Sequence, residues 1–200
     1  MPAATLKNPK LSLNQNEIQH IVIEKSAFLK AQQLVGVPWQ AMASIWYRES
    51  FSVAPPKTPG GQFQFDPPNP SRSELLQSLK RYVRNLSDGE MQEIVNEGVN
   101  VFPSACILAA CHLRDKSKFV LATDHSDEAI KDAFYGYNGR AWGPDPEKSP
   151  YVMNNFDAAH TNMHIRGTIP VPGGGKKWVD NIDERPGAFT VYKQLIVLNV

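Results

Sequence analysis

The sequence has little cysteine, no long apolar run and almost no net charge, and each shortage narrows what it can be. Its 200 residues include two cysteines, Cys106 and Cys111. Five apart in a stretch of helical character, they point roughly 140° away from each other, which argues against a disulfide between them and for buried free thiols. No run approaches the ~20 apolar residues of a membrane span, so no membrane insertion is expected. The formal net charge is +1, from 21 Lys and Arg against 20 Asp and Glu. That balance gives no electrostatic case for nucleic acid. The first ten residues lack the apolar core of a secretory signal. As a whole precursor, such a chain is expected to be made in a cytoplasm and to leave, if it leaves, by another route.

What is present describes an ordinary globular protein, 42% hydrophobic and 20% charged. Sixteen prolines and thirteen glycines are many for a helical protein. They concentrate in a large loop after Phe51, reaching Pro70, and again between Gly136 and Pro150; ordered loops of such length are usually functional. Between them the apolar periodicity is helical. A loose arm is expected over residues 1–13 and one domain over 14–200. A first helix runs from Asn14 or Asn16 to Val35 and stops at Gly36. Pro38 opens the next in its first turn. Ser71 with Glu74 forms a capping box before Leu75, Leu76, Leu79, Val83 and Leu86. Asp88 to Val99 and Pro103 to Arg114 are two further helices, and Ser126 caps one reaching about Tyr137. Residues 164–182 read as two short strands about a glycine turn, a β-ribbon, and 186–199 as a terminal helix. The expected class is mainly α, of an α+β kind, with a bundle built around one buried helix.

That helix lies within the stretch Val37 to Ser52 and ends on Glu49. At about 100° per residue, Pro38, Met42, Ile45 and Glu49 fall on one line. Trp39, Ala41, Ala43 and Trp46 widen the line into an apolar arc, while Gln40, Ser44, Tyr47 and Arg48 gather opposite. Glu49 therefore sits on an apolar face, where desolvation favours a protonated carboxyl. A general acid needs that state. A paired core carboxylate or a helix cap would occupy the same place in many proteins.

Further residues sharpen the choice. Glu49-Ser50 is followed by Gly61-Gln62-Phe63-Gln64 in the proline-glycine loop, much later by Gly136-Tyr137-Asn138, and then by Tyr151-Val152. The order resembles the goose-type lysozyme and lytic murein transglycosylase family, whose signatures are Glu-Ser, Gly-Leu-Met-Gln, Ala-Tyr-Asn and a later tyrosine. The resemblance spans about residues 35–155. The middle pair of the second motif is replaced, and the gap between Gln64 and Asn138 leaves room for added helices. The segments around Ser149, Arg166 and Arg185 look like those of phage and bacterial lysins.

The resemblance implies a lysozyme-like fold and cleavage of peptidoglycan between N-acetylmuramic acid and N-acetylglucosamine. It makes Glu49 the catalytic acid and base, oriented by Tyr151. Ser50, Gln64, Tyr137 and Asn138 would support the site or hold sugar groups, with no cofactor and no metal. The substrate partner is the glycan strand, and the protein is expected to act as a monomer. It would reach the wall through holin-type release, virion delivery or dedicated export. Phe63, Phe65 and Trp142 either stack on sugars or pack internally.

Two rival functions share these residues. A hydrolase of the same fold needs a second carboxylate to activate water, and Asp66, Asp124 and Asp145 are the candidates. A non-catalytic wall-binding or virion module would keep the groove without the chemistry. His160 and His164, at i and i+4, lack the Glu and the third ligand of a zinc site. His20, His112 and His125 have no sequence neighbours that suggest a site. Gly173-Gly174-Gly175-Lys176-Lys177 lacks the spacing of a phosphate loop and reads as a turn.

Overall fold

A computed structural model describes residues 12–50, 63, 71–138, 149, 151–152, 163–170, 176–183 and 186–200, with backbone alone for Ser50, Val99 and the two strands. Local chemistry fixes most of the helix starts. Asn14 caps α1 (Gln15–Ile23): its side chain accepts from the Glu17 N–H at 3.0 Å, and Glu17 returns a bond to the Asn14 N–H at 2.7 Å. The same reciprocal box forms between Ser71 and Glu74 at α4 (Arg72–Tyr82) and between Ser87 and Glu90 at α5 (Asp88–Glu97). In both boxes the bonds to the capping serine hold the glutamate below its usual titration range.

The single helix expected up to Val35 is two. Glu24 closes α1 with φ −87° and ψ 0°, and α2 (Lys25–Val35) starts directly after it. Gly36 ends α2 in the left-handed region, φ 81°, with its N–H on the Gln32 carbonyl. A Cβ there would be strained by that φ and would also meet Ala122 at 3.0 Å. The Pro38 carbonyl then accepts from Ala41 and Met42 and opens α3 (Trp39–Ser50).

After α5 a 3-10 turn, Gly98–Asn100, leads into α6 (Phe102–Lys116), with a proline in its first turn. α7 (Asp127–Tyr137) starts at the Ser126 cap. Strands β1 (Met163–Pro170) and β2 (Lys176–Asp183) pair antiparallel, with Gly167 opposite Val179. α8 (Ala188–Leu198) closes the chain, beginning two residues after Pro186.

The α+β class is corrected. The principal packing of the described residues is helix on helix, and β1 and β2 have each other as their principal neighbour. A two-stranded pair buries too little to serve as a layer of the core. The fold is helical, and its hub is α6, which packs against α2, α3, α4, α5 and α7. Nine of its fifteen residues are buried, from Ser104 to Leu113. An all-round apolar helix belongs at the centre of a bundle, whereas a one-sided stripe belongs at its surface.

α3 lies between α2, α6 and α8. Its supposedly polar side is covered as well: Ser44, Tyr47 and Arg48 are all buried. Tyr47 donates to Glu17 of α1 at 3.0 Å. Leu13, expected in a loose arm, is buried, and its N–H donates to the Gln194 side chain of α8. Asp115 ties α6 to α4, accepting from Ser78, Arg81 and Tyr82 at 2.7 Å each. With Lys80 paired to Asp88 at 3.1 Å, the basic side of α4 is partly answered by its own neighbours. No single described helix is both long and apolar enough to cross a membrane.

Candidate active site

Glu49 stands in the last turn of α3, half-buried, where the helix emerges from the core. Its partner comes from far along the chain. The Tyr151 hydroxyl donates to Glu49 Oε1 across 102 residues of sequence. Tyr151 belongs to a tight turn in which the Val152 N–H reaches the Ser149 carbonyl at 2.9 Å. The Tyr151 N–H donates to Ser149 Oγ at 3.3 Å, and the Tyr151 carbonyl accepts from Phe189 N–H at 3.0 Å. The turn is thus attached to the start of α8, and α8 packs on α3. The helix that carries the carboxyl and the turn that carries the phenol share one support.

Tyr137 and Asn138 arrive from the other side, at the end of α7. Tyr137 is buried, with its ring 6.3 Å from that of Tyr151 at 32°. Burial first, and the charge of Glu49 second, push its phenol well above the ordinary tyrosine range. The electrostatic influence of Glu49 on Tyr137 places the two groups in one neighbourhood. Asn138 caps α7, and its Nδ2 donates to Ser149 Oγ at 3.3 Å. The buried Ser149 hydroxyl is therefore a junction that receives both Asn138 and the Tyr151 backbone.

Of the site residues named from the sequence, Glu49, Tyr137, Asn138 and Tyr151 come together. Ser50 follows Glu49 in α3, with only its backbone described. Gln64 lies outside the described residues, as do Phe65, Trp142, Asp66, Asp145 and His160. Phe63 is described and buried, stacked on Phe102 at 6.3 Å and 13°. Phe102 also meets Phe28 and Trp46 within 6 Å, so Phe63 belongs to an aromatic core cluster and is not exposed for sugar stacking. Asp124 is half-buried and accepts from the Ser126 N–H at 3.0 Å, which opens α7 and holds its carboxyl below the usual range. That accounts for it as a turn former. Among the described residues no group of three His, Cys, Asp or Glu side chains is placed to hold a metal ion.

Three contributors escaped the sequence reading. Arg48 is buried, donates to the Pro186 carbonyl at 3.3 Å, and lies 5.9 Å from the Tyr151 ring centre. Its position directly before Glu49 was a signal, but periodicity put it on a polar face. Ser149 was visible only as the second residue before Tyr151. His112 meets the Tyr137 ring edge-on at 5.3 Å, and nothing local in the sequence marks it.

Chemically, the cluster offers one carboxyl, oriented by a phenol, beside a neutral second phenol and a buried guanidinium. A protonated carboxyl keeps acceptor capacity on the oxygen that faces Tyr151, so the other oxygen can carry an exchangeable proton. Comparison of the chain with protein-family models, with curated proteins and with solved structures finds no match.

Proposed function

We propose that this protein is a lytic transglycosylase that cuts peptidoglycan between N-acetylmuramic acid and N-acetylglucosamine. One observation carries the reading: the hydrogen bond from Tyr151 to Glu49, made between two residues that the family's motif order had paired. The convergence of Tyr137 and Asn138 on the same place supports it further.

The reaction follows from a single carboxyl. Glu49 gives its proton to the glycosidic oxygen as the bond from that oxygen to the muramic C1 breaks, and N-acetylglucosamine departs with a hydroxyl. The Glu49 carboxylate then takes the proton of the muramic 6-hydroxyl, whose oxygen closes on C1. The product is a 1,6-anhydro sugar, water is not consumed, and Glu49 is again protonated. Glycosidases that use water need two carboxyl groups, one for each proton task. Here one group performs both in turn, and Tyr151 keeps it aimed between the two steps.

The test is mass spectrometry of the fragments released from purified cell walls by the wild type and by Glu49→Gln. The wild type is expected to release anhydro-muropeptides, and the variant to lose about 10²–10⁴-fold in rate while keeping its fold. Fragments with reducing ends alone would establish hydrolysis instead. Undiminished lysis by Glu49→Gln would remove Glu49 from the chemistry. Wall binding without cleavage by either protein would leave a non-catalytic module.

A further inference from the structure

The Tyr151 hydroxyl can meet Glu49 only while its ring is kept from swinging away. Arg48 lies near that ring on the α3 side. Tyr137 lies near it on the α7 side. Tyr137 is the last residue of its helix, so its own ring needs a stop behind it. His112 supplies that stop from α6, edge-on at 82° and 5.3 Å between ring centres. Edge-to-face contact is a directional preference of aromatic rings, which a shapeless apolar side chain does not reproduce.

The approach that creates this contact is built into the backbone. Gly136 precedes Tyr137, and a Cβ on it would stand 2.4 Å from the carbonyl oxygen of Lys116. The end of α7 thus rests directly on the end of α6, one turn beyond His112. Two observations therefore converge on a fixed α6–α7 seam: the ring geometry and the space reserved at Gly136.

We propose that His112 is a positioning residue, whose ring fixes Tyr137 and through it the Tyr151 hydroxyl on Glu49. The proposal rests on Glu49 being the catalytic acid. It adds a residue on the hub helix that touches neither substrate nor the reacting atoms. Sites of this kind depend on the packing that holds their contact residues.

Three variants decide it: His112→Leu, which removes the ring; His112→Phe, which keeps one; and Tyr151→Phe, which deletes the hydroxyl. In protein carrying 13C at glutamate and tyrosine, the Glu49 carboxyl and Tyr151 Cζ resonances report the contact directly. On purified glycan strands, kcat and KM report its effect. His112→Leu is expected to move the Glu49 carboxyl resonance toward its position in Tyr151→Phe and to lower kcat about tenfold, with KM unchanged. His112→Phe is expected to stay close to the wild type in both measurements. Wild-type resonances in His112→Leu would overturn the proposal whatever kcat does, and so would equal damage in His112→Phe. If the wild type does not cleave glycan, the acid assignment fails separately, and the resonances still decide the role of His112. Should His112→Leu not fold, His112→Gln, which also lacks the ring, enters the same comparison.

Discussion

A carboxyl at the end of an apolar helix is costly unless another group answers it, and Tyr151 answers Glu49. The residues that do the answering differ in character. Tyr137 is held neutral by burial and by Glu49 itself, so it packs as a phenol and adds no charge. Arg48 brings a buried cation to the same turn. The cysteines of the hub helix stay outside this chemistry. Burial pushes the Cys111 thiol up to about 12, and Cys106 further still. Both should therefore resist iodoacetamide in the folded protein at mildly alkaline pH and react fully in guanidinium, as counted by intact mass. Rapid labelling of the native protein would contradict that. At this scale the sequence was informative where a motif gave the partner, as for Glu49 and Tyr151. It misleads where periodicity alone decides: periodicity puts Arg48 opposite the apolar arc of α3, because the covering element, α8, starts 140 residues later.

Elements were legible where a few neighbouring residues settle the matter. The Ser71 box, the Ser126 cap and the Gly36 stop all depend on chemistry within four residues. The break at Glu24 had no such signal, since no glycine or proline marks it. Gly136 shows the other limit. Inside a helix, alanine in place of glycine is ordinarily a gain of about 1 kcal/mol. Here the added carbon meets a backbone oxygen at 2.4 Å, which no side-chain rotation relieves. Overpacking of that kind costs about 1–3 kcal/mol and outweighs the gain. Gly136→Ala should thus lower the midpoint of denaturant unfolding and weaken the Tyr137–Tyr151 packing. A raised midpoint would show that α7 can move off α6 freely.

At the scale of the molecule, the helical class follows from how α6 is used. α2, α3, α4, α5 and α7 all borrow burial from it, so loss of one large residue there is felt by each of them. The sequence showed α6 as apolar enough to be buried, yet centrality cannot be read from apolarity alone. α3 is as fully buried, yet packs chiefly against α2 and α8. The two candidate strands illustrate the converse, since pairing between neighbours in sequence does not make a layer. What the sequence held least was assembly: which of several apolar helices would become the hub depends on the sum of all the contacts.

The span of 102 residues between Glu49 and Tyr151 has a consequence in time. Local helices form within about a microsecond, whereas contacts between distant segments wait for loop closure and collapse. Helix α3 can exist, glutamate included, well before the Tyr151 turn and α8 arrive beside it. The Glu49 carboxyl is then an ordinary hydrated side chain, and its contact with Tyr151 forms only when those segments dock. On refolding from denaturant, far-UV ellipticity should recover ahead of the proposed glycan cleavage sampled in parallel. Simultaneous recovery would mean that the distant segments meet Glu49 as early as the helices form.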